Sequence, residues 1–149
     1  MKPAPAPSRI LLVDDSRDGL LVRRTVLEEQ GYEVHTGHNG EEGLKLFQAS
    51  NFEVVVTDYR MPRMDGVELI ARIRQLQPNA RIVLISGLVE PLGLTEENTG
   101  ADAVISKSAN EPTHLIRSVK RLINRGATRK PAASQKNGAI AKVWRQTGG

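Results

Sequence analysis

Four apolar runs in this sequence lead into residues whose side chains can bind metal ions or phosphate. In chain order these residues are Asp14, Asp15, Asp58, Ser86 and Lys107. Carboxylate oxygens suit Mg²⁺, an ammonium group attracts a phosphoryl oxygen, and a hydroxyl can donate a hydrogen bond to one. A carboxylate can also form an aspartyl phosphate, which makes Asp58 the candidate nucleophile. Brought together, these groups would form a magnesium-assisted phosphoryl-transfer site.

The apolar runs themselves have the composition of buried β-strands. They cover residues 10–13, 54–57, 82–85 and 103–106 and consist largely of Val, Ile and Leu. Runs of this length, bounded by turn-forming residues, are typical of strands buried on both faces of a parallel sheet. Ligands of such sheets bind at the carboxyl ends of the strands. We therefore expect the candidate residues to meet at one edge of the sheet.

Helix signals alternate with the strand signals along the chain. Strands are predicted at 9–13, 32–36, 52–57, 81–85 and 103–106, and helices at 16–30, 41–49, 66–75 and 112–124. In the first helix we expect Val22, Val26 and Leu27 to face the core. Between 88 and 99 Pro91 and Gly93 disfavour a long helix, so we expect about two turns beginning near Thr95, or an irregular segment. The alternation implies a doubly wound α/β fold, with helices on both faces of a five-stranded parallel sheet.

Length and composition restrict the class of protein. The chain has 149 residues, no Cys and 3% aromatic residues, which suggests one domain with an aliphatic core and no disulfides. No apolar stretch approaches the ~20 residues of a membrane span, and the N-terminal apolar run is too short for a signal peptide, so we expect a cytoplasmic protein.

Charge divides the chain into two parts. The net charge is +4, but residues 125–149 carry six basic residues and no acidic ones, which leaves 15 basic and 17 acidic residues in 1–124. Nucleic-acid binding by the folded body therefore has no support from charge. We expect a disordered arm at 1–8, one domain at 9–124 and a basic, flexible tail at 125–149. Trp144 in this tail belongs either to a disordered segment or to a short docking helix.

Each candidate residue, taken alone, also has an ordinary structural explanation. Asp14-Asp15 could be a turn and helix cap, Asp58 a loop acid and Lys107 a surface lysine. Their combination at corresponding strand ends resembles the receiver domain of two-component response regulators over residues 9–124. The motifs that carry this resemblance are 10–15 (ILLVDD), 58–66 (DYRMPRMDG), Ser86-Gly87 and Lys107. The resemblance implies a flavodoxin-like sheet with strand order 2-1-3-4-5.

The resemblance also implies roles for individual residues. Asp58 would accept a phosphoryl group from a phosphohistidine of a sensor kinase. Mg²⁺ would be bound by Asp15, Asp58 and the backbone carbonyl of Arg60, with Asp14 reaching it directly or through water. Ser86 and Lys107 would hold the phosphoryl oxygens. Such a protein is a phosphoacceptor that catalyses only its own phosphorylation and slow dephosphorylation, and is not otherwise an enzyme.

The sequence departs from the family pattern on one predicted face. Val104 stands where an aromatic residue is usual, Ser108 stands where proline is usual, and Pro91 and Gly93 shorten the fourth helix. In the family this face, formed by helix four, strand five and helix five, often signals or dimerises. We therefore expect the phosphoryl chemistry to be retained while the output differs.

The partners follow from the same interpretation. We expect a single-domain regulator without a DNA-binding domain, monomeric or weakly dimeric, that receives its phosphoryl group from a sensor histidine kinase or a histidine phosphotransfer protein. Its output would be docking to a downstream protein or transfer of the phosphoryl group. One alternative is a constitutive, phosphorylation-independent interaction module on a receiver fold. Another is weak nucleic-acid binding through the basic tail.

Overall fold

Five short strands form one parallel sheet in the computed structural model, which describes residues 6–125 of the chain. The strands are β1 Arg9–Val13, β2 Glu33–Gly37, β3 Val54–Asp58, β4 Ile82–Ser86 and β5 Ala103–Ser106. Their order in the sheet is β2-β1-β3-β4-β5, and every neighbouring pair is parallel. The predicted fold class and strand order are confirmed.

The helices begin where side chains satisfy their free amides. They are α1 Arg17–Glu29, α2 Gly40–Ala49, α3 Gly66–Leu76, α4 Val89–Leu92, α5 Glu96–Thr99 and α6, helical from 111 to the last described residue, 125. Ser16, Asn39 and Asp65 cap α1, α2 and α3, each accepting a hydrogen bond from the amide three residues on.

The segment between β4 and β5 contains two single helical turns. Pro91 lies in the first turn of α4, where its missing N–H removes no intrahelical hydrogen bond. Gly93 then ends α4, with a φ of 61°. Thr95 and Asn98 form a capping box that begins α5, which confirms the predicted start near Thr95. The predicted length of about two turns was wrong, because Gly100 ends α5 after four residues. Glu96 Oε2 accepts a hydrogen bond of 3.1 Å from the amide of Val104 on the edge strand β5.

Two aliphatic cores lie on opposite faces of the sheet, because successive strand residues point to opposite sides. One core packs side chains of α1 and α6, including Leu27, Leu115 and Val119, against the sheet. The other packs side chains of α2 and α3, including Phe47 and Ile70. The predicted double layer of helices is confirmed.

Helix α1 is rotated relative to its predicted orientation. Its buried residues are Leu20, Arg23 and Leu27, whereas Val22 is 56% exposed. The predicted stripe was right for Leu27 and wrong for Val22, because the buried face also contains Arg23, which a stripe of apolar residues leaves out.

Residues 1–5 and 126–149 lie outside the described residues, so the expectations for the arm at 1–8 and the tail at 125–149 stay predictions. Among the described residues, no helix is both long and apolar enough to cross a membrane.

Arg74 on α3 ties three parts of the fold together. Its guanidinium donates to the carbonyl oxygens of Ala80 and Gly100 and pairs with Asp102 Oδ2 at 3.0 Å. The same carboxylate oxygen accepts a hydrogen bond of 2.8 Å from Ile82 N at the start of β4. One side chain therefore links α3 to the chain entering β4 and β5.

Replacing this guanidinium should destabilise the fold. We expect Arg74→Met to lower the free energy of unfolding by about 2–3 kcal/mol, because charged hydrogen bonds are lost while the aliphatic stem is kept. Urea denaturation would measure the change. The control is Arg72→Met, which removes an exposed pair with Glu68 and should cost below about 0.5 kcal/mol. Equal losses in the two variants would contradict the role of Arg74.

Candidate functional site

The carboxyl ends of the strands bring all five candidate side chains to one edge of the sheet. The nearest carboxylate oxygens of Asp14, Asp15 and Asp58 all lie within 4.8 Å of one another. Lys107 Nζ lies 3.0 Å from Asp58 Oδ1, and Ser86 closes β4 beside β3. This convergence follows from the parallel register, which aligns the ends of β1, β3, β4 and β5.

Asp58 is a buried acid whose negative charge is only partly compensated. It is 5% exposed, and its Oδ1 has the Lys107 ammonium nearby but no aligned hydrogen-bond donor among the described residues. Burial, followed by the charge of Asp14, raises the pKa of Asp58, and Lys107 and Arg23 oppose this shift. The carboxylate is therefore short of compensating positive charge.

The arrangement fits a hard divalent cation. Three carboxylates from two strand ends supply oxygen ligands, one of which has no aligned donor of its own. Asp15 is exposed, while Asp14 and Asp58 are buried, so a cation could enter from solvent and keep several waters. Arg60 lies two residues beyond Asp58 with an exposed side chain, and the ligand role of its carbonyl stays a prediction.

The loop after β3 is held tightly beneath Asp58. Gly66 N donates a 2.7 Å hydrogen bond to the carbonyl oxygen of Tyr59. A Cβ on Gly66 would overlap the carbonyl oxygen of Asp58, so only glycine lets α3 begin so close to the strand. Asp65 caps the same helix by accepting from Glu68 N at 2.9 Å. The Asp-Gly pair of the predicted motif thus fixes the backbone that carries Asp58.

Ser86 and Lys107 are linked through the backbone. Lys107 N donates to the carbonyl oxygen of Ser86 at 3.0 Å, which joins the ends of β4 and β5. Ser86 is buried, and its Oγ accepts a hydrogen bond of 2.9 Å from Leu88 N. Because accepting does not use the hydroxyl proton, Ser86 can still donate to a ligand oxygen.

The site includes one cation that sequence reasoning missed. Arg23 on α1 is buried, and its Nη1 makes a short ion pair with Asp14 Oδ2. The other side of the guanidinium contacts Glu111, at 2.8 Å from Nε and 3.3 Å from Nη2. Arg23 therefore lies between the acid cluster and the first residue of α6.

A sequence signal for Arg23 does exist. It lies three residues after Leu20 and four before Leu27, which is the spacing of one helix face. A charged residue on an apolar face needs a buried partner, because arginine is almost never fully buried unpaired. The identity of the second partner, Glu111, has no local signal, since it lies 88 residues away.

Comparison with known proteins agrees with this geometry. The family model of the response regulator receiver domain matches residues 10–120. A response regulator receiver protein of Anaeromyxobacter sp. is 35% identical over 108 residues, covering 72% of this chain and 45% of that protein. The chain thus spans under half the length of this relative. The response regulator receiver protein CpdR of Brucella abortus is 33% identical over 107 residues, covering 72% of this chain and 87% of the relative.

A solved structure shows the same architecture. The response regulator TrrA of Thermotoga maritima, determined in complex with Mg(2+)-BeF, superposes with a TM-score of 0.71 and 35% identity. The superposition covers 77% of this chain and 98% of TrrA. With the match of the family model to most of the chain, this chain belongs to the receiver domain family of two-component response regulators.

Proposed function

We propose that this receiver accepts a phosphoryl group on Asp58 from a phosphohistidine of a sensor kinase or a phosphotransfer protein. The observation that carries the proposal is the environment of Asp58: a buried carboxylate with an ammonium 3.0 Å away and two further acids beside it. A purely structural acid would not need this surplus of negative charge.

The proposed transfer uses groups that the site already positions. A carboxylate oxygen of Asp58 attacks phosphorus and forms an O–P bond, while the P–N bond breaks and its electron pair returns to the imidazole nitrogen. The ammonium of Lys107 and the hydroxyl of Ser86 stabilise charge on the phosphoryl oxygens. A bound Mg²⁺ would supply further charge neutralisation, and Asp15, Asp58 and Asp14 are the residues that would hold it. The TrrA complex with Mg(2+)-BeF supports this assignment by analogy.

The proposed output does not depend on rotation of an aromatic side chain at position 104. Val104 has no aromatic ring to rotate, and its amide is bonded to Glu96 on α5. We infer that the phosphorylated site signals by partner docking or by passing the phosphoryl group on. The protein would catalyse only its own phosphorylation and slow dephosphorylation.

Removing the nucleophile tests the proposal directly. We expect Asp58→Asn to abolish Mg²⁺-dependent labelling by acetyl phosphate, because an amide cannot form the acyl phosphate. Intact-protein mass spectrometry would count the added phosphoryl groups. Asp65→Asn is the matched control, since asparagine also caps helices and Asp65 lies in the same loop. Labelling of Asp58→Asn at the wild-type level would refute Asp58 as the acceptor, whereas a wild type that takes up no label would favour a phosphorylation-independent interaction module.

Removing the ammonium should slow the same reaction. Lys107→Ala is expected to lower the rate of labelling by about 10²-fold, because a preorganised charge on the phosphoryl oxygens is lost. Stopped time courses with acetyl phosphate would give the rates. Lys45→Ala changes an exposed lysine on α2 and should leave the rate unchanged. A labelling rate of Lys107→Ala within about twofold of wild type would contradict a contact between the Lys107 ammonium and the phosphoryl oxygens.

The raised pKa of Asp58 also predicts how stability depends on pH. The folded state binds the Asp58 proton more tightly than the unfolded state does, so ionisation of this group destabilises the fold. Without Mg²⁺, Asp58→Asn should therefore be more stable than wild type at neutral pH. This gain should shrink as the pH falls through the raised pKa, because the wild-type carboxyl becomes neutral.

Thermal melts of the two proteins across this pH range would measure the difference. Asp65→Asn, measured in parallel, should show no such pH-dependent gain. A variant Asp58→Asn that is less stable than wild type at neutral pH would show that Lys107 overcompensates the buried charge.

A further inference from the structure

We propose that Arg23 is an internal competitor for the metal site and couples cation binding to the start of α6. In the absence of a cation its guanidinium compensates Asp14. A cation drawn to the acid cluster must weaken that contact, and Glu111 provides a second carboxylate to hold the guanidinium. The inference rests on the proposed Mg²⁺ site and concerns residues that the phosphoryl chemistry itself does not use.

Asp14 differs from the other two acids in having both oxygens occupied by protein donors. Its Oδ1 accepts a hydrogen bond of 2.9 Å from Ser16 N, and its Oδ2 pairs with Arg23 Nη1. Asp15 is exposed, and Asp58 Oδ1 lacks an aligned donor. Arg23 therefore compensates one acid of the cluster selectively, and that acid is the most buried of the three, at 1% exposure.

The guanidinium is shielded from solvent, because the side chain of Arg23 is only 8% exposed. It has two carboxylates to choose between, Asp14 on one side and Glu111 on the other. A cation near Asp14 repels the guanidinium, since like charges in a partly desolvated site interact strongly. Glu111 lowers the cost of this repulsion by stabilising the guanidinium on its far side.

Helix α1 is shaped around this contact. Gly19 lies one turn before Arg23, and a Cβ on Gly19 would overlap Asp14 Oδ2 and lie 2.9 Å from Arg23 Nη1. Glycine is among the least favourable residues inside a helix. Its presence here makes room for an arginine that crosses the helix surface to reach the acid cluster.

A merely structural ion pair between α1 and α6 makes a different prediction. Losing it would change stability by the same amount with and without Mg²⁺. A competitor instead changes the affinity for Mg²⁺, and by thermodynamic reciprocity Mg²⁺ must change the Arg23 contacts. The two roles are therefore separated by a binding measurement.

Titration with Mg²⁺, followed by isothermal calorimetry, tests the coupling in the full chain. We expect Arg23→Met to bind Mg²⁺ about tenfold more tightly, because a competing positive charge is gone. We expect Glu111→Gln to bind it several-fold more weakly, on the order of fivefold, because the guanidinium then has only Asp14 as a charged partner. The opposite signs of these two shifts are the signature of competition.

Matched controls remove charges of the same sign without touching the contact. Arg24→Met changes the next residue, an exposed arginine that pairs with Glu28, and Asp18→Asn changes an exposed acid in the first turn of α1. Each should alter Mg²⁺ affinity by less than about twofold, because exposed charges are screened. If Arg23→Met does not fold, Glu111→Gln against Asp18→Asn decides the question.

The coupling to α6 has its own readout. Addition of Mg²⁺ to the wild type should shift the backbone amide resonances of Glu111 and Thr113, and this shift should be lost in Glu111→Gln. Unchanged or weaker Mg²⁺ binding by a folded Arg23→Met, tighter binding by Glu111→Gln, or no shift of the Glu111 and Thr113 amides would each overturn the inference. Failure of the wild type to bind Mg²⁺ at all would instead refute the proposed metal site.

Discussion

Repulsion among the carboxylates at the carboxyl edge of the sheet is the interaction on which the arrangement of the surrounding residues depends. Asp14 and Asp58 are both buried there, with Asp15 close by. Carboxylates this close destabilise one another unless positive charge or donors compensate them. Two cations compensate them, Lys107 from the end of β5 at Asp58 and Arg23 from α1 at Asp14. The compensation is uneven, since Asp58 still has a raised pKa.

The acids stay close together, with Asp58 incompletely compensated, because the strands that carry them are rigidly packed. Strands β3 and β4 are buried along their whole length, so the residues at their ends have little freedom to separate. The backbone beneath Asp58 is fixed by Gly66, and the approach of Arg23 to Asp14 is permitted by Gly19. Gly66 thus lets α3 begin against the backbone of Asp58, and Gly19 lets Arg23 and Asp14 lie closer together than a side chain at that position would allow. Burial of these acids costs stability at this edge of the sheet, in keeping with the raised pKa of Asp58.

The sequence predicts much of this arrangement. Strand positions follow from short aliphatic runs, and the meeting of Asp14, Asp58 and Lys107 follows from the rule that parallel strands share one carboxyl edge. What failed was the orientation of α1, because periodicity alone cannot distinguish a solvent-facing arginine from a buried one. Arg23 is buried through a partner, Glu111, that is distant in sequence. Contacts between residues so distant in sequence depend on tertiary packing, which a local sequence pattern cannot predict.

The hydrogen bond between Glu96 and Val104 has a consequence for assembly. Strand β5 ends the sheet on one side, and an unprotected edge strand offers its amides to the strands of other molecules. Here the carboxylate of Glu96 already occupies the Val104 amide and places an acidic group beside the rim. A neighbouring chain would have to displace this group before it could extend the sheet. The short helix α4, which contains Pro91 and ends at Gly93, leads directly to α5 and Glu96, and this segment thus also hinders edge-to-edge association of the sheet.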